Sequence, residues 1–402
     1  MFFDVNSWYN DSILNLGGYL MSNTILRNEN VSVTLKSLGG ELTSIKDASG
    51  TEYLWQGNPD FWSGQAPVLF PIVGCLRNGT ATIGDSKTCS FGRHGLARKL
   101  EFTLVSSSET CAVYSLKADD STKEQYPYDF ELQMIYELTN HGVKVSHKVI
   151  NHGDIVMPYC IGGHPAFNCP VYEGENFEDY IVEFEQPETA ACAQLTDDGL
   201  INNNDRIPVL DHETVIPVKH SLFYKDALIF DQLKSRTVAL KHKESGHGIL
   251  VTFPDFNYLG VWSSANDGPF VALEPWSGTS TCSDPVPGFR CNQIPESYSP
   301  EPELPVLQYF SPQTGSHAHT DHIAYNMDKD SPSHPATENL PSVQDCLFSA
   351  EAYFVILPRP EHTSALLSPD PSGASSHQQL LHTLSVQSAF PLSVYAFRCM
   401  YH

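Results

Sequence analysis

The sequence predicts an all-β protein whose strands form an enlarged antiparallel sandwich. Apolar and polar residues alternate in the segments 31–36, 130–138 and 143–149, and a period of two is typical of strands with one buried face. A turn-forming segment at 140–142 separates two of them, and we find no amphipathic stretch of helical length. Many strands joined by tight turns favour an antiparallel sandwich, and this chain is too long for a small one.

Further strand candidates follow the same pattern. Segments 100–105 and 111–116 form another pair of alternating segments, and an apolar strand from residue 270 ends at Glu274. The last 120 residues contain two strand-like segments, 350–357 and 392–399. We therefore expect nearly all the strands to come from the first 282 residues.

Composition and charge limit the classes of partner. The chain has 402 residues, 41% of them hydrophobic, which is enough for a substantial core. With 47 acidic and 23 basic residues, its formal charge of −24 disfavours binding to nucleic acid or to an anionic membrane. No apolar run reaches the roughly 20 residues of a membrane helix. Residues 1–20 lack the basic start of a secretory signal, so we expect a cytoplasmic protein.

A change of composition near residue 282 suggests three regions. Residues 283–402 hold 15 of the 28 prolines and 8 of the 17 histidines, a bias typical of chain without a packed core. We expect residues 21–282 to form the sandwich domain. The Pro/Ser/His-rich tail, 283–402, is expected to be disordered or a frameshifted reading, and residues 1–20 to be an extra segment outside the fold.

A cluster of arginines is conspicuous because bases are few. Residues 1–282 contain six arginines, and Arg77, Arg93 and Arg98 lie in one short stretch. A guanidinium group offers a rigid fork of donors for hydroxyl, carboxylate or phosphate oxygens, and the glycines beside His94 let a ligand approach closely. The alternative is a surface loop whose arginines pair with nearby acids, and the sequence leaves both interpretations open.

Two further motifs each place an ionisable side chain beside a strand. In Gly-Gly-His164-Pro, the proline biases His164 toward an extended conformation, which would hold an imidazole that exchanges protons near pH 7 at a strand edge. Glu274 ends an apolar strand ahead of Pro-Trp, and partial burial would raise its pKa and make it a usable base. The alternatives are a structural histidine and a solvated strand end.

Sequence motifs of common cofactors and nucleophiles are missing. There is no phosphate-binding loop, dinucleotide fingerprint or G-x-S-x-G nucleophile elbow, and no C-x-x-C pair of a zinc ribbon. The segment 317–322 has metal-ligand residue types but lies in the tail, so we expect no metal site there.

Asp226 is a weaker candidate for a site residue, because it is an acid beside an apolar stretch.

Together these motifs resemble the aldose 1-epimerase (galactose mutarotase) family, in particular its LacX-like branch. The resemblance covers residues 21–282 and rests on the order and spacing of several short segments. The matching segments are 28–30, 37–42, 53–57, Trp62, 67–77, 92–98, 162–168 and 273–276.

The resemblance implies a fold, an activity and a set of residue roles. The family fold is a β-supersandwich, and the family interconverts the α and β anomers of free sugars without a cofactor. The acid would be His164 and the base Glu274, while Arg77, His94 and Asp226 would bind the sugar. We therefore expect a mutarotase whose small-molecule partner is an aldose or a hexose phosphate. The alternative is a non-catalytic carbohydrate-binding or regulatory module on the same fold.

Overall fold

The computed structural model describes residues 23–83, 87–153, 155, 157–284 and 346–360. Within these residues the chain is almost entirely β-structure. The strands in chain order are β1 (Asn23–Arg27), β2 (Val31–Lys36), β3 (Glu41–Asp47), β4 (Val68–Leu69), β5 (Thr80–Ile83), β6 (Lys87–Ser90), β7 (Thr103–Ser107), β8 (Cys111–Lys117), β9 (Phe130–Thr139), β10 (Gly142–Asn151), β11 (Gly162–Gly163), β12 (Ala166–Asn168), β13 (Tyr180–Leu195), β14 (Ile201–Pro217), β15 (Leu228–Phe230), β16 (Thr237–His242), β17 (Gly248–Thr252), β18 (Tyr258–Trp262), β19 (Phe270–Trp276) and β20 (Cys346–Leu357).

Helical structure is brief in the described part of the chain. The single α-helix there, α1 (Asp120–Gln125), begins after Asp119, whose side chain caps it by accepting a hydrogen bond from the Thr122 N–H. The other helical segments are 3-10 turns at Arg77–Gly79, Ala97–Lys99, Phe177–Asp179 and His220–Leu222. None of these helices could span a membrane. The predicted all-β antiparallel fold class is confirmed.

The alternating segments of the sequence form strands with one buried face. In β2, buried and partly buried residues alternate over all six positions. Strands β9 and β10 pair from Phe130 opposite Asn151 to Thr139 opposite Gly142, and the tight turn between them fixes the register. A shift of one residue would move every apolar side chain to the opposite face.

The largest sheet has nine antiparallel strands in the order β14-β13-β16-β17-β20-β10-β9-β8-β7. Its middle strand, β20, pairs with β17 on one side and with all of β10 on the other. Side chains on one face of β20 are buried: Ala350, Ala352, Phe354 and Ile356.

Strand β20 corrects the predicted boundary at residue 282. The segment 350–357, which the sequence identifies as strand-like, lies at the centre of the sheet. The prediction that all of 283–402 lies outside the sandwich, as a disordered or foreign tail, is therefore wrong for Cys346–Leu357. The other strand-like segment, 392–399, and residues 1–20 lie outside the described residues.

A six-stranded sheet packs with the other sheets around one core. Its strands run in the order β15-β18-β19-β11-β4, and β12 also pairs with β19. Strands β1, β2 and β3 form a third sheet, and β5 and β6 a hairpin. One continuous apolar cluster contains Leu35 of the three-stranded sheet, Leu273 of the six-stranded sheet and Phe354 of the nine-stranded sheet. The six-stranded sheet packs on this core through residues such as Leu273, and the same sheet carries the site.

Candidate functional site

His164 and Glu274 come from neighbouring strands of the six-stranded sheet. His164 follows β11 directly, and its N–H donates to the carbonyl of Pro67 at 3.0 Å. Glu274 lies in β19, next to β11, and opposite Gly260 of β18. Sheet pairing therefore brings together two side chains that are far apart in the sequence.

Gly260 leaves space for the Trp276 ring and for the Cβ atom of Glu274. A Cβ atom at this position would come within 2.7 Å of the Trp276 ring and 3.3 Å of Glu274 Cβ. Because atoms rarely approach that closely, a larger residue at 260 would displace both neighbours. A glycine within β18 is thus required by the packing around Glu274.

The imidazole of His164 and the carboxyl group of Glu274 face each other in buried surroundings. Nδ1 of His164 lies 3.3 Å from Oε2 of Glu274, and the two residues are 8% and 1% exposed. Neither atom has a well-aligned hydrogen-bond partner among the described residues. At this separation a proton can reside on either group with little movement of the heavy atoms.

Burial favours the uncharged form of both groups. It lowers the pKa of His164, and the positive charges of Arg98 and Arg93 lower it further. Burial also raises the pKa of Glu274 well above its usual value, and the nearby Asp226 carboxylate adds to this shift. The pair therefore tends to share a single titratable proton, and burial favours the carboxyl group as its carrier.

His94 lies beside this pair as a neutral hydrogen-bond donor. Its ring centroid is 5.6 Å from that of His164, in an edge-on arrangement. The N–H of Gly74 donates to His94 Nδ1 at 3.1 Å, which leaves the proton of a neutral ring on Nε2. Burial lowers the pKa of His94 well below its usual value, and the adjacent His164 and arginines add to the effect. The ring therefore offers an N–H group to the cavity that it lines.

The backbone around His94 is held in a sterically demanding turn. His94 has a φ of 67° and Gly95 a φ of 74°, both in the left-handed region. A Cβ atom at residue 95 would lie 2.3 Å from the carbonyl oxygen of Phe70, so only glycine fits. This turn places the imidazole of His94 edge-on to the imidazole of His164.

Charged side chains surround the rest of the site. Nη1 of Arg93 lies 3.6 Å from Oδ2 of Asp226, and both side chains are partly exposed, so solvent weakens their attraction. Arg98 lines the same cavity, and its Nε has no hydrogen-bond partner among the described residues. Burial lowers the pKa of Arg98, which nevertheless remains charged at neutral pH.

Three tryptophans form much of the apolar wall. Trp62 stacks on the His164 imidazole with ring centroids 4.7 Å apart and planes 25° apart, and Trp262 meets the same imidazole edge-on at 5.3 Å. Trp276 also lines the cavity. None of the three was predicted as a site residue. The available signal was that Trp62 and Trp276, two of only five tryptophans, lie in the segments that carry the family resemblance.

These side chains enclose one cavity of about 180 Å³. It brings together four of the five predicted site residues: His94, His164, Asp226 and Glu274. An apolar aromatic wall with a few convergent polar groups is typical of a small-molecule site. Two imidazoles, two carboxyl groups and guanidinium donors therefore converge on a space suited to one small polar ligand.

Arg77 lies outside this cavity. It begins the 3-10 turn Arg77–Gly79, its N–H donates to Oγ1 of Thr281 at 2.8 Å, and its guanidinium group donates to the carbonyl of Cys282. Arg77 lines a neighbouring cavity instead. The structure thus corrects the prediction that Arg77 shares a wall with His94, because the turn directs its side chain away.

Metal-ligand types do not cluster in the described ranges. No group of three or more His, Cys, Asp or Glu residues suited to a metal ion occurs there. The histidine-rich segment 317–322 lies outside those ranges.

Sequence comparison identifies relatives of the region that carries this site. A family model described as Aldose 1-epimerase matches residues 22–285. The plasmid-encoded and the chromosomal Protein LacX of Lactococcus lactis subsp. lactis are each 45% identical to the chain over 262 residues. Each match covers 64% of this chain and 88% of the relative.

Structure comparison identifies similar solved folds. A galactose mutarotase related enzyme from Lactobacillus acidophilus superposes with a TM-score of 0.67 at 26% identity, covering 84% of this chain and 98% of that chain. A galactose mutarotase-like protein from Lactobacillus casei superposes with a TM-score of 0.61 at 26% identity, covering 66% of this chain and 91% of that chain.

Proposed function

The chain belongs to the aldose 1-epimerase family, and we propose that it is a mutarotase that interconverts the α and β anomers of an aldose. One observation carries this proposal: the His164 imidazole and the Glu274 carboxyl group lie 3.3 Å apart on the wall of a cavity. A proton donor and a proton acceptor at this spacing can both reach one sugar ring.

Mutarotation needs one acid and one base that act on two oxygens of the same carbon. The base takes the proton of the anomeric hydroxyl, the acid protonates the ring oxygen, and the bond between C1 and the ring oxygen breaks. The open-chain aldehyde then rotates about C1–C2, and the reversed proton transfers close the ring on the other face. Both groups must therefore reach a space a few ångströms wide, which favours side chains fixed on adjacent strands.

We treat His164 and Glu274 as one unit that carries one proton. The family resemblance implies Glu274 as the base and His164 as the acid. Burial favours the opposite distribution, with a protonated carboxyl group and a neutral imidazole. Ring opening exchanges one distribution for the other, because one group gains a proton as its partner loses one. Either starting state therefore supplies an acid and a base.

The remaining polar groups of the cavity would orient the sugar. The Nε2–H of His94 and the guanidinium group of Arg98 are donors for hydroxyl oxygens, and the Asp226 carboxylate is an acceptor. The tryptophan wall would contact the apolar face of the ring. Held in this way, the open-chain form can rotate about C1–C2 without leaving the site.

The balance of charge around the cavity favours a neutral aldose over a hexose phosphate. Both Arg93 and Arg98 line it, and two guanidinium groups can bind a phosphate. However, Asp226 lies 3.6 Å from Arg93 and offsets its charge. The Glu41 carboxylate likewise interacts electrostatically with Arg98. Because a carboxylate partly offsets each of the two guanidinium groups, they suit a sugar hydroxyl better than a phosphate dianion, and we propose a neutral aldose as the substrate.

A polarimetric panel tests both the activity and the substrate class. Freshly dissolved α-anomers of glucose, galactose and glucose 6-phosphate would be followed with and without the purified protein. We expect the approach to anomeric equilibrium to be accelerated for at least one neutral sugar. A protein that accelerates glucose 6-phosphate more than either neutral sugar would show that the charge argument is wrong.

A non-catalytic carbohydrate-binding module is the second candidate function. The observation that favours it is the burial that lowers the pKa of His164, because this reduces the supply of imidazolium acid near neutral pH. A folded protein that binds an aldose in calorimetry but accelerates no anomer exchange would support the module. Acceleration of any aldose excludes it.

A further inference from the structure

A second and larger cavity adjoins the proposed active site. It has a volume of about 400 Å³, and its wall includes Arg77, Asn78, Phe91, Arg93 and Asp198. None of the proton-transfer residues lines it. Its size is in the range of small-molecule sites, so it can hold a chemical group as large as a sugar ring.

A thin partition separates the two cavities. Arg93 lines both of them, and Gly199 lines the first while its neighbours Asp198 and Leu200 line the second. A Cβ atom at residue 199 would lie 2.3 Å from Nη2 of Arg93, so the guanidinium group packs directly on the backbone there. The Arg93 side chain is 45% exposed, and a ligand that spans both cavities would pass over it.

We propose that the second cavity is a subsite for a second sugar unit, so that the protein binds reducing disaccharides. The proposal rests on the function proposed for the first cavity, where the reducing ring with its free anomeric carbon would lie. The attached unit would occupy the second cavity, with the glycosidic bond beside Arg93.

The residues of the second cavity have the chemistry that binds sugar hydroxyls. The side chains of Asn78 and Asp198 are exposed and form no hydrogen bond or ion pair within the described part of the chain. An amide both donates and accepts, and a carboxylate accepts from hydroxyl groups. The guanidinium group of Arg77 is held in place by the Cys282 carbonyl, and Phe91 adds apolar surface.

The negative charge of Asp198 disfavours anionic ligands in the second cavity and permits neutral sugars. A carboxylate in the wall repels a phosphate or a carboxylate ligand, whereas a sugar hydroxyl donates to it. The two guanidinium groups in the same wall have other partners: Arg93 lies beside Asp226, and Arg77 donates to the Cys282 carbonyl. The occupant is therefore a neutral sugar unit, and glucose 6-phosphate serves as the anionic probe.

Binding measured by titration calorimetry tests the subsite independently of turnover. The probes are glucose and three disaccharides with glucose at the reducing end: cellobiose, maltose and gentiobiose. We expect at least one disaccharide to bind about tenfold more tightly than glucose, as one or two added hydrogen bonds would allow. Asp198→Ala, which removes the acceptor, should abolish most of this gain and leave the affinity for glucose unchanged. Asn78→Gly should act in the same way, since glycine accepts the φ of 57° at this position.

Asp197→Ala is the matched control, because Asp197 is the adjacent exposed acid and does not line the cavity. It should leave every affinity unchanged. Disaccharides that all bind no more tightly than glucose, or a gain that persists in Asp198→Ala, would overturn the subsite. So would glucose 6-phosphate showing the Asp198-dependent gain instead. Failure of the mutarotase proposal is a separate result, because it is measured as anomer exchange on glucose alone.

Discussion

Glu274 and His164 lie where ionisation of either group is costly, and this gives the pair an unusual pH response. Burial lowers the pKa of His164 from its ordinary 6.5 and raises that of Glu274 from 4.5. The pair therefore keeps one proton over a wide pH range. We expect the exchange rate to fall on the acid side as His164 gains a second proton, at a pH well below 6.5 and near its lowered pKa of about 3. On the alkaline side it should fall as Glu274 loses its proton, at a pH well above 4.5.

An infrared difference spectrum between the parent and Glu274→Gln measures the carboxyl group directly. The band of the protonated carboxyl group should persist to a pH above 4.5, because desolvation opposes its ionisation. A carboxyl group that ionises near pH 4.5 would contradict the proposed protonation state, whatever the activity.

The same burial predicts that Glu274→Gln stabilises the fold. Between pH 4.5 and the raised folded-state pKa of Glu274, the folded chain binds a proton that the unfolded chain does not, so stability falls as pH rises. Glutamine does not ionise, so the variant does not lose stability in this way as the pH rises. The variant should melt at a higher temperature than the parent at pH 7, and the difference should shrink as the pH approaches 4.5. Equal melting curves at pH 7 would mean that Glu274 ionises as it does in water.

Short motifs predicted the placement of individual candidate residues well only where the backbone fixes the side chain. The Gly-Gly-His-Pro and Glu-Pro-Trp motifs indicate positions beside strands, and the structure places His164 and Glu274 there. Arg77 belongs to an equally conspicuous motif, but it opens a turn, and nothing in the local pattern indicates toward which cavity the side chain points. Trp262 could not be predicted either, because its contact with His164 depends on the pairing of β18 with β19.

At the scale of elements, local alternation predicted strands but not their partners. Strands β2, β9 and β10 follow from a period of two within one segment or from one tight turn. Strand β20 is different: its alternation is readable, but its neighbours in the sheet, β17 and β10, are distant in sequence. Compositional bias in the surrounding residues therefore led to the wrong prediction for this strand.

Strand β20 gives the clearest test at this scale. Ala350 is fully buried, whereas the preceding residue, Ser349, is exposed. Ala350→Asp places an unpaired charge in the core and should cost about 3 kcal/mol or more of the free energy of unfolding. Ser349→Asp on the opposite face should change it by less than about 0.5 kcal/mol. Urea unfolding measures both, and equal stabilities for the two variants would remove β20 from the sheet.

At the scale of the whole molecule, the net charge should act against anionic substrates. The formal charge is −24, and a field of that sign slows the approach of a hexose phosphate while leaving a neutral sugar unaffected. Raising the salt concentration should therefore increase kcat/KM for glucose 6-phosphate and leave that for glucose unchanged. A salt response of the same sign and size for both sugars would show that the net charge does not influence substrate choice.

The fold class was predictable at this scale because it depends on many strands at once. Many segments show a period of two or a turn, so an error in any single segment does not change the predicted fold class. Which sugar fits depends instead on a few side chains around one cavity, and their positions follow from non-local strand pairing.

Anomer exchange by the parent protein and two variants tests the central claim most directly. The claim is that His164 and Glu274 transfer the protons of mutarotation. Exchange would be followed by polarimetry on the best neutral aldose, with circular dichroism to confirm that each variant is folded. Glu274→Gln and His164→Asn should each lose at least about a hundredfold in rate, since a general acid or base typically contributes roughly 10² to 10⁴-fold. A folded Glu274→Gln protein that exchanges anomers at the parent rate, or a parent that accelerates no aldose, would contradict the account.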